Sequence, residues 1–328
     1  KPRILPAMAR IHIGTCSWTD KPLIQSRRFY PASAKTAEDR LRFYASIFPT
    51  VEVDSSYYAL PSPDNARRWV ERTPDRFTFH VKAFRLFTGH WAAPEALPAD
   101  LRPEALNQAR NKQRLYAADL TERVNNALWQ RFEDALLPLD SAGKLGLVLF
   151  QMAPWVTPND GAWEQIAECQ RRLPQYRLAV EFRHNAWFQG GQAQQTLNAL
   201  RERGLTHVVV DEPQGFESSV PPVCDVTSDV AYVRFHGRNA AMWEAAAGTS
   251  SERFDYWYRE SELREWSPRI RMLMEKAGEI HVLFNTNNDT QGPDNARLFA
   301  KVLADEGLGE HIAQFNQIHG IPSTERLL

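Results

Sequence analysis

Ionisable side chains recur at every second position in several short apolar runs of this chain. Val51-Glu52-Val53-Asp54, Phe77-Thr78-Phe79-His80-Val81-Lys82, Leu178-Ala179-Val180-Glu181-Phe182-Arg183 and Tyr232-Val233-Arg234-Phe235-His236 each carry this split. In a strand, that alternation puts apolar groups on one face and charges on the other. Two more runs end on Gln151 and Asp211, and another on Asn285. Taken together, Glu52, Asp54, Glu181 and Asp211 stand against Lys82, Arg183 and Arg234, with His80 and His236 among them. Forked guanidinium groups suit phosphate or carboxylate oxygens, so Lys82, Arg183 and Arg234 are expected to hold an anion. Asn285, Asn287 and the backbone at the start of the last helix would add donors. Glu181 or Asp211 would act as general base, with His236 as acid partner and Glu52 as a further catalytic carboxylate. The competing account is a charge-compensated network that only fixes the fold, since unpaired buried charges are costly. Seven strands with polar ends favour a site.

The apolar runs alternate with helical patterns along the chain. Strands are expected at Ile11–Trp18, Val51–Asp54, Phe77–Lys82, Leu145–Gln151, Arg177–Arg183, Thr206–Asp211, Val230–His236 and Ile280–Asn285. Amphipathic stretches lie near 36–47, 63–72, 116–136, 160–172, 192–203, 262–277 and 293–306, with a weak one near 238–260. Ser62-Pro63, Pro158-Asn159-Asp160 and Gly292-Pro293-Asp294 read as helix starts. Gly143, Gly204 and Gly278 each fall between a helical stretch and a strand, where a helix C-terminus favours glycine. Eight strand–helix repeats predict a single (β/α)8 TIM-type barrel over 1–328. An open doubly wound sheet competes, but its GxGxxG fingerprint after the first strand is absent. In a barrel the Val, Phe and Ile face must meet the helices, so the charged face points inward, toward the C-terminal rim where barrel sites are built. Residues 84–115, with Trp91, Pro94, Pro98 and Pro103, form an inserted segment after the third strand. An excursion of that length reads as a lid, a binding loop or a disordered stretch.

Six tryptophans (Trp18, Trp91, Trp155, Trp187, Trp243 and Trp257) follow strands, as do Tyr57, Tyr58 and Phe188. They are expected to ring the mouth with flat surfaces for a sugar or base, although each alone could be packing. Trp69, Trp129, Trp163 and Trp266 fall in helical patterns and read as packing residues.

Composition sets the outer limits. The chain has 328 residues and a formal net charge of −1, from 39 Lys+Arg and 40 Asp+Glu. Net charge therefore drives no nonspecific attachment to nucleic acid or membrane. An arginine-rich face such as 102–123 could touch nucleic acid, but a solvated face is favoured. No apolar run is long enough to span a bilayer, and the first residues lack the apolar core of a signal peptide. The 3 cysteines, Cys16, Cys169 and Cys224, are too far apart for a zinc motif and too few for a disulfide framework. A reducing cytoplasm is the expected compartment.

The chain resembles the YecE-like family, a domain of unknown function. The resemblance rests on Ile13-Gly14-Thr15-Cys16-Ser17-Trp18, Phe29-Tyr30-Pro31 and Val51 through Tyr58. It continues in Phe77–Lys82, Leu145-Gly146 through Gln151, and Ala179–Arg183 with Trp187. It ends in Tyr232–Gly237 and Phe284-Asn285-Thr286-Asn287-Asn288, in family order over nearly the whole chain. Thr15 and Cys16 stand where smaller residues are common, and Thr286 separates Asn285 from Asn287-Asn288. The resemblance implies a TIM-type barrel and no established reaction, substrate or cofactor.

These residues lead to an enzyme, of hydrolase or lyase/isomerase type, acting on a polar anionic ligand such as a phosphorylated sugar or nucleotide. Trp18, Asp54, Tyr57, His80, Gln151 and Trp187 would complete the ligand's surroundings. No cofactor is predicted. A divalent metal is the one the residue types allow, in a phosphodiesterase resembling barrel endonucleases, with Glu181, Asp211, His236, His80 and Asp54 as ligands. Three cations in the same mouth count against that alternative. A glycosidase fits less well, because the fourth and seventh strands end in Gln151 and His236 where its acids would stand. A Schiff base on Lys82 would need desolvation, which the adjacent carboxylates oppose. The remaining alternative is a non-catalytic ligand- or partner-binding protein. Oligomeric state is not encoded in any motif.

Overall fold

Residues 9–245 and 250–313 are described by the structure, a computed structural model. Eight parallel strands close into a barrel in sequence order: β1 (Arg10–Thr15), β2 (Thr50–Val53), β3 (Thr78–Lys82), β4 (Leu145–Gln151), β5 (Leu178–Glu181), β6 (Thr206–Asp211), β7 (Val230–Phe235) and β8 (Glu279–Phe284). Closure comes from β8 pairing with β1, with Arg10 opposite Glu279 through Thr15 opposite Phe284. A closed sheet leaves no edge, and the β-branched and aromatic residues of the outer face find their partners in the helices. Phe235 packs on Trp266 and Phe299, Phe79 on Trp69, and Phe182 on Trp163.

The helices are α1 (Lys21–Ser26), α2 (Ala37–Ile47), α3 (Pro63–Glu71), α4 (Arg102–Gln108), α5 (Glu122–Ser141), α6 (Asp160–Arg172), α7 (Gln192–Glu202), α8 (Ser250–Arg253), α9 (Glu260–Arg264), α10 (Ser267–Met274) and α11 (Gln291–Leu303). Side-chain caps explain several starts. Thr36 and Asp39 form a capping box on α2, and Ser62, Thr121 and Asn159 each accept an amide at the start of α3, α5 and α6. Three expectations differ. The helix expected at 116–136 starts later and runs on to Ser141, with Pro138 tolerated in its last turns. The stretch 262–277 is divided into α9 and α10 at Glu265-Trp266. No helix lies in the described chain between β6 and β7, where the sequence also offers no amphipathic stretch, so the sixth of the eight expected strand–helix repeats returns through an irregular connection.

The inserted segment 84–115 is folded. An antiparallel bridge between Ala92 and Leu115 closes it, α4 lies within it, and Leu86, Leu97, Leu101 and Leu115 are buried. These apolar side chains, spaced among the prolines, join the segment to the hydrophobic core of the barrel.

Two glycines let the barrel close. A Cβ on Gly14 would lie 2.2 Å from the Thr50 carbonyl oxygen, so only glycine allows β1 this close to β2. Gly146 faces the interior, where a Cβ would strike the His80 ring at 2.6 Å. The pairing of β3 with β4 shifts register just after this point, between Phe79–Leu145 and Val81–Val148. That irregularity changes which alternate residues of β4 face inward. It lets both Gly146 and Gln151, five residues apart, point to the axis.

Candidate active site

Arg234 is the centre of the barrel interior, fully buried on β7. Its Nη2 donates to Glu52 Oε1 at 2.7 Å, and its Nη1 donates to Glu181 Oε2 at 2.5 Å and to Gln151 Oε1 at 3.1 Å. Strands β2, β4, β5 and β7 are thereby tied together from inside. Tyr232, one turn of the pleat below, donates its hydroxyl to Glu52 Oε2 at 2.8 Å. Glu52 carries two opposing effects: burial pushes its carboxyl above the usual range, while Arg234 and Lys82 pull it down less strongly.

Above Arg234 the polar set opens toward the mouth. Glu181 Oε1 accepts from Arg183 Nη1 at 3.1 Å and lies 3.2 Å from His236 Nε2. His236 Nδ1 is 3.0 Å from the Asn285 side-chain nitrogen. An amide nitrogen can only donate, so Nδ1 accepts and Nε2 carries the proton that it offers to Glu181. Burial favours the neutral form of His236 and brings it down to about 3, against the pull of Glu181. Burial alone would raise Glu181, but Arg234, His236 and Arg183 outweigh it and hold the carboxyl well below its ordinary value.

Two walls flank this floor. On one, Lys82 Nζ donates to Asp54 Oδ1 at 2.7 Å and sits 4.5 Å from the centre of the Tyr57 ring. Burial works against the Lys82 charge, but Asp54 prevails and raises it. Arg85 stacks between Tyr57 and Trp91, and its buried Nε has no hydrogen-bond partner. His90 meets Tyr57 and Trp155 edge-on. It is kept neutral, at about 3, by burial and by the nearby Lys82, Arg85 and Arg183. On the other wall, Arg183 lies over Trp243 at 4.8 Å, and Phe254 packs against His236 and Trp243. Arg253 approaches Arg183, and burial together with that like charge lowers its pKa. Glu212 completes this wall. Its Oε1 accepts from the Val220 amide at 2.6 Å, and its Oε2 lies 3.6 Å from Arg183 Nη2. Burial raises Glu212 to about 8, so it is largely protonated at neutral pH.

The structure brings together Glu52, Asp54, Tyr57, Lys82, Gln151, Glu181, Arg183, Arg234, His236 and Asn285. It places other expected residues elsewhere. Asp211 points outward, into the helical layer, where it accepts from Tyr258 Oη, Trp266 Nε1 and Arg238 Nη2, each at 2.7 Å. The run Val208-Val209-Val210 is apolar at every position, so nothing in it fixes which parity faces the axis. The acidic pair Asp211-Glu212 straddles both faces, and the inward member is Glu212. As a brace between β6 and the connection from β7 to α10, Asp211 has a checkable consequence. Asp211→Asn leaves the Arg238 charge and one donor poorly matched, and is expected to cost about 1–3 kcal/mol in urea unfolding. A variant as stable as the parent would show that the brace contributes nothing.

His80 faces inward but one layer too low for the mouth. Its Nδ1 accepts from the Leu147 amide at 3.0 Å, and its ring meets His281 and Tyr232. Trp18 is buried against Trp69 and Phe79, outside the barrel, and Trp187 against Phe182 and Trp163. Both pack among aromatic rings of the barrel's outer face and the helices around it. The expected ring of six tryptophans reduces at the mouth to Trp243 and Trp155, with Trp91 beyond Arg85. Trp257 is exposed, and Asn287 borders a small neighbouring cleft with Asp20, Asp289 and Gly292. Glu212, Arg85, His90 and Arg253 were not among the expected site residues. Three of them lie in long connections, where no periodicity signals orientation.

The expected metal ligands do not assemble. Asp211 turns away, His80 lies a layer below, and the oxygens of Glu181 are taken by arginines and His236. Among the described residues, no group of three or more His, Cys, Asp or Glu is placed to hold a metal ion. Among the described residues, too, no helix is long and apolar enough to cross a membrane.

Known proteins share this architecture and sequence. The model of the family described as "Protein of unknown function DUF72" matches residues 12–316. The UPF0759 protein YunF of Bacillus subtilis is 32% identical over 298 residues, covering 89% of this chain and 94% of that protein. The UPF0759 protein YecE of Escherichia coli K12 is 27% identical over 205 residues, 61% of this chain and 59% of its own length. A crystal structure of a DUF72 family protein from Enterococcus faecalis V583 superposes with a TM-score of 0.72 at 27% identity, over 90% of this chain and 95% of that one. Another, from Thermotoga maritima MSB8, gives 0.66 at 26% identity over 90% and 99%. With the barrel, the shared motifs and a match over nearly the whole chain, the protein belongs to the DUF72 family.

Proposed function

We propose that this protein is an enzyme that binds a small polar anionic ligand, such as a phosphorylated sugar or a nucleotide, at the C-terminal rim of its barrel. One observation carries this reading: positive charge in the mouth exceeds what its carboxylates neutralise. Lys82, Arg85, Arg183, Arg234 and Arg253 face Glu52, Asp54, Glu181 and Glu212, and burial pushes Glu212 toward its neutral form. Arg85 packs on aromatic rings, and Arg253 feels the like charge of Arg183 as well as the opposite charge of Glu244. Both are half-buried, and a half-buried cation held by no ion pair among the described residues is accounted for by a ligand that supplies the missing charge.

Arg183, Lys82, Arg85 and Arg253 are the groups that grip the ligand. Arg234 takes a different part from the one its residue type suggests. Both of its Nη groups are given to Glu52, Glu181 and Gln151, and it serves to fix Glu181 and Glu52. Trp243, Tyr57 and Trp155 offer faces for a ring of the ligand. Glu181 and His236 are the acid–base pair, joined through Nε2–H. An anion that draws Arg183 onto itself removes one of the partners holding Glu181 ionised, and so makes that carboxylate a better base when the ligand is in place.

Thermal unfolding with a panel of phosphate-bearing compounds tests this reading. A ligand present at about a hundred times its Kd stabilises the folded state by about 2.7 kcal/mol, and Arg183→Ala is expected to abolish that shift. A panel that stabilises neither protein, or both equally, would remove the reading.

A further inference from the structure

Glu212 lies at ion-pair distance from Arg183 without a hydrogen bond between them. Its Oε2 is buried and has no hydrogen-bond partner, although Arg183 Nη2 lies only 3.6 Å away. Arg183 keeps its Nη1 on Glu181 and its planar face on Trp243. Its second amino group is thus held between a carboxyl and the mouth. We infer that Glu212 is a neutral-acid gate on anion binding: as the acid it leaves Arg183 Nη2 to the ligand and offers the ligand its own O–H, and as the carboxylate it takes Arg183 for itself. This inference rests on the anion-binding reading above and adds the residue that sets its pH range.

The surroundings of Glu212 favour the neutral acid. Burial acts most strongly, and the charges of Glu181 and Asp211 act in the same direction. Arg183 and the Val220 amide oppose them without prevailing, leaving the group near 8. Gln214 donates to the Glu212 backbone carbonyl and so does not hydrogen-bond to the side chain. A buried carboxylic acid held neutral in an apolar setting is an effective hydrogen-bond donor to an oxyanion. The sign of the linkage follows. If the protonated form binds the anion, the affinity falls in proportion to the protonated fraction as the pH rises through the Glu212 titration. Binding above that point takes up a proton.

Inorganic sulfate is the probe, because it does not itself titrate in this range. Calorimetric titration of the intact protein is expected to show affinity falling at least about tenfold between about pH 7 and about pH 10. Above about pH 8, repeating the titration in buffers of different ionisation enthalpy should reveal uptake of close to one proton per sulfate. Glu212→Gln keeps the acceptor for Val220 and a donor toward the mouth, and is permanently neutral. It should bind sulfate with the same affinity across the range and take up no proton. Thermal unfolding verifies that this variant is folded. Parallel loss of affinity in the parent and in Glu212→Gln, or a pH-independent parent, overturns the gate and leaves anion binding standing. Absence of sulfate binding by either protein at every pH removes the anion reading itself, and the gate with it.

Discussion

Replacing Arg234 with alanine is expected to destabilise this protein by about 3–5 kcal/mol, the largest single-residue effect in the barrel. The side chain is fully buried, and its two Nη groups hold Glu52 and Glu181, which are themselves fully buried. Removing the guanidinium leaves two carboxylates in the interior with no counter-charge at that point. Their alternatives are protonation or the entry of water, and both cost free energy. Arg234→Lys keeps the charge but cannot reach Glu52, Glu181 and Gln151 at once, because an ammonium lacks the planar fork. It should fall between the parent and the alanine variant. A triple variant Arg234→Met, Glu52→Gln, Glu181→Gln removes these three charges together but leaves Arg183 without Glu181 as its ion-pair partner. It should recover part of the loss, since replacing a buried ion pair by neutral groups of similar volume is often no worse than keeping it. Urea unfolding of the four proteins measures these differences. An alanine variant within about 1 kcal/mol of the parent would mean that the charges are already exposed to water.

The second large effect is a loss of stability in mild acid. At the lower end of the barrel, His12 stacks on His281 with ring centres 4.8 Å apart, and His80 meets His281 edge-on at 4.4 Å. Burial depresses all three: His12 to about 4, His80 well below its ordinary value, and His281 in the same direction. For His80 the cause has a geometric counterpart. The Leu147 amide donates to Nδ1, so that nitrogen cannot take a proton without losing a backbone hydrogen bond.

The folded protein therefore binds fewer protons than the unfolded chain between the ordinary histidine pKa and the depressed one. Stability rises with pH wherever the unfolded state binds more protons. The contribution is complete above about pH 6.5 and is lost as the pH falls toward about 4, by about 3 kcal/mol for His12 alone. His207, also lowered to about 4 by burial, adds to the same window. The urea midpoint should thus fall steeply between about pH 7 and about pH 5. In a His12→Gln, His281→Gln variant the slope should be visibly shallower. Equal midpoints for the parent at both pH values would show that these imidazoles are already charged in the folded state.

Much of the barrel was legible in the order of its residues. Period-2 alternation in Val51–Asp54, Phe77–Lys82, Leu178–Arg183 and Tyr232–His236 fixes which face must be dry, because one face has no charge to hydrate. In these four runs the inward set follows without coordinates, and Glu52, Lys82, Glu181, Arg183, Arg234 and His236 converge as that rule requires. Where the alternation is missing, the rule has nothing to act on. The three consecutive valines before Asp211-Glu212 are compatible with either parity, and only the pairing of β6 with its neighbours turns Glu212 inward. In β4, a register shift reverses the parity part-way along the strand.

Depth along the axis is the other quantity that sequence withholds. His80 and Lys82 share a face, yet one lies among histidines at the base and the other at the mouth. Strand stagger around a closed barrel sets that height, and stagger depends on pairings between residues far apart in the chain. The same holds for Arg234, whose residue type suits an exposed anion as well as it suits two buried carboxylates. Composition and periodicity determined a parallel barrel with a charged interior. Which charges are spent on one another and which remain for a ligand was decided by three-dimensional distance, because electrostatic pairing depends on separation and burial and not on position in the sequence.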